Sequence, residues 1–260
     1  MSLLGAIIGD IIGSVHEGAG TKEKDFPLFV AESTFTDDSV LTVAVAEWIL
    51  TGQDLTDLLH TYYGSFPDRG YGIRFHHWAH ERRREPYQSY GNGAAMRVSP
   101  VGFAFDTIQE VLDWSERSAA VSHDHPEGIR GAQATAAAVF YARQMEDKGE
   151  IQRLLESQFG YDLTTTLDQI RPTYGFDESC QGTVPQALRA FIESTSYEDA
   201  IRNAISLGGD ADTLACIAGG VAEAYYKRIP SDIILNATQR LDVNLAAVID
   251  RFRNEFAITA

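Results

Sequence analysis

Cysteine is nearly absent: Cys180 and Cys216 are the only two in 260 residues. Neither has a partner at the spacing of a zinc motif, and Cys216 lies inside an apolar run. That excludes a disulfide scaffold and leaves the expectation of two reduced thiols in a cytoplasmic protein. Basic residues are also short. Lys and Arg number 21 against 37 Asp and Glu, a formal net charge of −16. Sequence-independent binding of nucleic acid rests on basic patches, so that class is excluded. The same imbalance sets a demand on any phosphate ester bound here, which must find bound cations or backbone N–H groups. Alternating runs of β-branched residues are missing, so strands are not expected. The apolar opening MSLLGAIIGDIIGSV has no basic lead and is interrupted by Asp10. It reads as neither a signal peptide nor a membrane span. With no linker, low-complexity segment or fixed repeat, the expectation is one mostly α-helical domain over residues 1–260.

What is there is acid, in two clusters. Gly208-Gly209-Asp210-Ala211-Asp212-Thr213 precedes the apolar run Leu214 to Tyr226. The glycines free the backbone to turn into a helix, with both acids and the hydroxyl at its start. A helix cap accounts for one such oxygen. Close carboxylates repel, and hard oxygen donors at this density suit Mg²⁺, Mn²⁺ or Ca²⁺. Cap and metal site both stay open on this segment alone. Thr36-Asp37-Asp38-Ser39 repeats the arrangement before Val40 to Leu50. Two such clusters can form the halves of a two-metal site if the fold brings them together.

The intervening chain reads as helices and turns. Leu3 to Glu17 is expected to be helical, with Gly5, Gly9 and Gly13 on one face for close packing. Asp10 within it reads as a buried, hydrogen-bonded acid. Glu17, beside the loop Gly18-Ala19-Gly20, is freer to face a cleft. Helices are expected over 54–66, 71–84, 106–118, 128–146, 184–194 and 231–257, with one or two over 150–171. His76 and His77 read as structural, and Trp114 as core. Ser89-Tyr90-Gly91-Asn92-Gly93 is a turn signal and a candidate anion cradle. His123 reads either as a ligand contact or as the cap of the next helix. Tyr174 to Thr183 is a candidate cleft wall. Ser196 with Asp199 fits a capping box.

In this order the motifs carry a family likeness. Gly9-Asp10-Ile11-Ile12-Gly13 with Glu17, Thr36-Asp37-Asp38-Ser39, Gly91-Asn92-Gly93 through Met96-Arg97, Ser122-His123 and Gly208 to Thr213 follow one another along nearly the whole chain. Together they resemble the ADP-ribosylglycohydrolases. The resemblance implies an all-α, single-domain orthogonal helical bundle that holds two Mg²⁺ or Mn²⁺ ions. It implies Thr36, Asp37, Asp38, Asp210, Asp212 and Thr213 as metal ligands and Glu17 as the catalytic acid/base. It implies Ser89, Tyr90, Gly91, Asn92 and Gly93 as the turn receiving the ADP portion, with His123 lining the same cleft. The implied reaction is metal-dependent hydrolysis at C1″ of ADP-ribose carried by a protein side chain or by O-acetyl-ADP-ribose. The partners are then an ADP-ribosylated protein or a small ADP-ribose ester, with no nucleic acid and no membrane. Ser89, standing where arginine-directed members often carry Asp, resembles the branch acting on serine-linked and related O-linked substrates. Helical diphosphate synthases also use Asp clusters, but their DDxxD pattern is not met by Asp37-Asp38-Ser39-Val40-Leu41. The non-enzyme alternative is an ADP-ribose-binding or structural relative that has lost ligands. All six metal positions and Glu17 are present here.

Overall fold

The computed structural model describes residues 3–18 and 20–256. Ala19 of the expected Gly18–Gly20 loop and the final residue of the helix expected over 231–257 lie outside them. In chain order the helices are α1 (Leu4–Gly13), α2 (Asp37–Thr51), α3 (Leu55–Ser65), α4 (Ile73–His80), α5 (Gly93–Met96), α6 (Ser99–Ala104), α7 (Ile108–Ala120) and α8 (Pro126–Gln144). They continue as α9 (Lys148–Phe159), α10 (Leu167–Ile170), α11 (Cys180–Glu193), α12 (Tyr197–Ile205), α13 (Ala211–Tyr226), α14 (Ser231–Thr238) and α15 (Val243–Glu255). Among the described residues the only β pairing is one isolated bridge, Gly91 with Ser179.

The centre of the fold is α13 lying against α1. Every residue of α1 is buried, and α13 is buried from Ala211 through Ala224. Glycine makes the approach possible. A Cβ placed on Gly5, Gly9 or Gly13 would fall 2.4, 2.1 and 2.4 Å from Gly219 O, Ala215 O and Asp212 Cα. These obstacles are backbone atoms and cannot swing aside, so a methyl at any of the three forces the helices apart. The close pair fixes where α13 begins, and therefore where Asp210 and Asp212 stand. Around it pack α8, α11 and α12, while α2 lies against α1 and carries α3, α6 and α15 on its other sides.

Several boundaries differ from the expected ones. Helix α1 stops at Gly13 and the chain turns through Ser14 to Gly18, so Glu17 leaves the face that carries Asp10. The last helix is two, because Asp242 caps a new start by accepting from Asn244 N–H at 2.8 Å. Helix α11 begins at Cys180, capped by Ser179, so Pro185 sits in its interior and not in its first turn. At the Ser196 cap, Asp199 reaches past the cap residue to accept from Thr195 N–H at 2.9 Å. Trp114 is half-buried, packed on Trp48 and Phe105. His76 is exposed and meets the Tyr63 hydroxyl at 2.8 Å. Both cysteines are buried free thiols. No described helix is long and apolar enough to cross a membrane.

Candidate active site

The two acidic clusters meet. Helix α2 starts where Thr36 Oγ1 accepts from Asp38 N–H at 3.3 Å, which sets Asp37 and Asp38 in its first turn. Asp210 stands at the cap position just before α13, yet its side chain makes no cap bond. Its carboxylate accepts instead from Asn92 Nδ2 at 2.6 Å. The capping alternative therefore fails for Asp210. Thr213 Oγ1 donates to Asp38 Oδ2 at 3.4 Å and ties the start of one helix to the other. One carboxylate oxygen each from Glu17, Asp210 and Asp212 lies within 4.8 Å of the others.

Asp10 braces this arrangement from below. It is fully buried and accepts from the backbone N–H of Thr36 and Ser39 at 3.0 and 3.1 Å, and from both their hydroxyls. The Thr36 hydroxyl hydrogen is thus spent on Asp10, which leaves the oxygen as an acceptor. The expected buried, hydrogen-bonded acid is what the structure contains.

The electrostatics are those of crowded acids. Burial, then the charges of Asp10, Asp37 and Asp210, hold the Asp38 carboxyl well above its ordinary range. Burial, then Asp38 and Asp210, does the same for Asp212. Burial, then Asp10, Asp210 and Glu17, raises Asp37. Burial, then Asp210 and Asp10, raises Glu17. Asp38 Oδ1 is buried with no hydrogen-bond partner. A buried acceptor in that state calls for a proton or a cation. Oxygen-only donors of this type fit a hard divalent cation.

These carboxylates form one wall of an open cleft. The adjoining wall is the turn before α5. Ser89, Gly91, Asn92, Gly93 and His123 all line the cleft. Tyr90 does not: its ring packs on His125, with centroids 5.4 Å apart. The expected supply of turn N–H groups is also smaller. Gly91 N–H donates to Ser89 Oγ at 3.2 Å, and Asn92 N–H to the Glu178 carbonyl at 2.7 Å. The Asn92 amide is committed to Asp210 and Thr183, so this residue joins the turn to the acidic wall. Helix α8 is capped by His125, whose Nδ1 accepts from Glu127 N–H, and His123 is left to the cleft.

Three further pieces of the wall have no sequence signal as strong. The loop before α4 contributes Gly70 and Gly72, and the Arg69 carbonyl accepts from Asp37 N–H at 2.7 Å. Arg74, whose guanidinium lies over the Tyr87 ring, brings a cation to the cleft. Phe176, 56% exposed, stands at the mouth on the Tyr174–Thr183 loop. That loop is the expected cleft wall, and the Gly91–Ser179 bridge fixes it to the turn.

The ADP-ribosylglycohydrolase family model matches residues 1–258. The chain belongs to the ADP-ribosylglycohydrolase family. It is 29% identical to ADP-ribosylhydrolase ARH3 of Xenopus tropicalis, over 91% of this chain and 89% of that protein. With the protein of the same name from Homo sapiens the identity is 27%, over 86% and 84% of the two chains. A solved structure titled ADP-ribosylglycohydrolase-related protein complex superposes with a TM-score of 0.74 at 24% identity, covering 97% of this chain and 95% of that one. The expected all-α fold of the ADP-ribosylglycohydrolase type is the one found. Membership makes the protein a glycosidase, with an acidic group in its cleft able to hold a metal ion.

Proposed function

We propose that this protein hydrolyses the C1″ bond of ADP-ribose attached through oxygen, to a serine side chain or as O-acetyl-ADP-ribose, and releases ADP-ribose. The observation that carries the reading is the convergence of Glu17, Asp210 and Asp212 in one cleft with the Ser89–Gly93 turn. Thr36, Asp37, Asp38, Asp210, Asp212 and Thr213 would hold two divalent cations, Mg²⁺ or Mn²⁺. Bound there, such ions supply positive charge to substrate hydroxyls and raise the acidity of water. They also offset the carboxylates that an anionic ligand must otherwise face.

The chain's own groups do the rest. Arg74 faces the diphosphate, and Phe176 offers a π-face to the adenine. Asp10 holds Thr36 and Ser39 still, which fixes the start of α2 beneath the distal ribose. Glu17 is the exposed member of the carboxylate group and the one free to move a proton. It takes a proton from water as the water oxygen bonds to C1″, and the C1″–O bond breaks with its electron pair leaving on the acceptor oxygen. The acceptor regains a proton, so water is divided between the two products. The sugar carbon passes through an oxocarbenium-like state, which the nearby carboxylates favour.

The assignment to O-linked substrates rests on Ser89, which is buried, lines the cleft and accepts from Gly91 N–H. Release of ADP-ribose from serine-linked, arginine-linked and O-acetyl substrates, compared side by side, tests it. Faster release from the two O-linked substrates is expected. Preference for the arginine linkage would overturn the linkage while leaving the hydrolase reading in place.

A further inference from the structure

The hydrolytic chemistry above makes no use of the buried cation on the cleft floor. Arg97 is fully buried. Its Nη2 donates to the Ser118 carbonyl at 2.7 Å and to Ser122 Oγ at 2.9 Å, while Nε and Nη1 have no partner. Ser122, also fully buried, places Oγ 2.8 Å from His123 Nδ1. A guanidinium can only donate, so Ser122 Oγ accepts from Arg97. The Ser122 hydrogen then has one acceptor in reach, His123 Nδ1. Were Nδ1 itself protonated, that hydrogen would be stranded in a site closed to water, which is disfavoured.

We propose that the Arg97–Ser122 pair fixes His123 as its neutral Nε2–H tautomer and thereby makes it a hydrogen-bond donor in the cleft. Nε2 faces the Ser89–Gly93 turn: a Cβ on Gly93 would come within 3.1 Å of it, and one on Gly91 within 3.7 Å. A donor at this point selects an acceptor oxygen, of a phosphate or a ribose hydroxyl, and rejects a donor group. Arg97 and Ser122 are positioning residues that act through His123. Burial, then the charges of Arg97 and Arg74, also hold the His123 pKa well below its usual value. The Tyr87 ring packs beside His123, with centroids 5.8 Å apart, and Ser89 Oγ and His123 Nε2 both lie within 3.7 Å of the point where a Cβ on Gly91 would stand. Arg97 itself, pulled down to about 10 by burial, stays charged at neutral pH.

The identity of the ligand rests on the proposed function; the tautomer does not. The test is ¹⁵N NMR of the histidine-labelled, ligand-free protein at pH 7, with His123 assigned by its loss in His123→Gln. The wild type is expected to show His123 neutral with its proton on Nε2. Ser122→Ala is expected to shift His123 toward a mixture of tautomers and to weaken ADP-ribose binding about five- to tenfold. An Nδ1–H or cationic His123 in the wild type would overturn the proposal. So would an Nε2–H signal and ADP-ribose affinity unchanged in Ser122→Ala. A wild type that binds no ADP-ribose would defeat the hydrolase reading instead, and the spectra would still decide the tautomer.

Discussion

Asp212→Asn exposes the tension stored in the acidic wall. Asp212 is buried and has carboxylate oxygens of Glu17 and Asp210 within 4.8 Å. One pair of unit charges at that separation repels by about 3.5 kcal/mol at an effective dielectric constant near 20. The raised pKa values mean that the metal-free protein already relieves part of this by binding protons. The remaining gain from an uncharged isostere is about 1–3 kcal/mol, or a melting temperature higher by roughly 3–8 °C in a chain of this size. The sign with pH follows from the same shifts. Asp37, Asp38 and Asp212 are raised above their unfolded values, so the fold binds more protons than the unfolded chain. Their contribution is fully favourable below about pH 4 and is lost as pH rises through the raised values. Metal-free wild type should therefore melt higher at pH 5.5 than at pH 7.5, and Asp212→Asn should flatten that slope. Thermal unfolding in EDTA and in millimolar MgCl₂ is the assay. Mg²⁺ should raise the melting temperature of the wild type and do little for the variant. An Asp212→Asn protein that melts lower than wild type in EDTA, yet keeps the full Mg²⁺ response, would refute the repulsion argument.

The neighbouring positions give separable outcomes. Glu17→Gln should lower turnover on the order of 10²-fold or more with ADP-ribose affinity little changed; stopped assays paired with calorimetry check this, and near-normal turnover removes Glu17 from the chemistry. Asn92→Ala should weaken both ADP-ribose binding and the Mg²⁺-induced rise in melting temperature, because its amide holds Asp210; loss of one response alone would mean the turn and the acidic wall act independently. Phe176→Ala should cost about 1–3 kcal/mol of ADP-ribose binding, the range for a base stacked on an aromatic ring, whereas Tyr90→Ala should not. The reverse order in calorimetry would place the adenine on Tyr90 instead of Phe176.

Local chemistry carried much of this structure into the sequence. Gly5, Gly9 and Gly13 announced a close helix contact, and the partner is α13. Asp210, Asp212 and Thr213 stood out because two acids and a hydroxyl opened an apolar helix, and α13 begins there. Helix ends were less legible. Asp242 looks no different from any other surface acid until the chain is seen to restart on it. Contacts between distant segments were the least legible of all. Asn92 lies 118 residues from Asp210, and nothing in the turn itself indicates that its amide crosses to the acidic wall. The aromatics Tyr90 and Phe176 illustrate a related limit. An aromatic beside a glycine turn reads as a ligand contact, but Tyr90 turns away onto His125 while Phe176 reaches the cleft from another loop. Arg74 carried no signal, being one arginine in a helical segment.

The most direct measurement is release of ADP-ribose from a serine-ADP-ribosylated peptide by the wild-type protein in EDTA, followed by addition of excess Mg²⁺ or Mn²⁺ to the same sample. Release should be abolished in the chelator and restored by the cation, and Asp212→Asn should stay inactive throughout. Full release in excess chelator would contradict the claim that the acidic wall works by holding divalent cations.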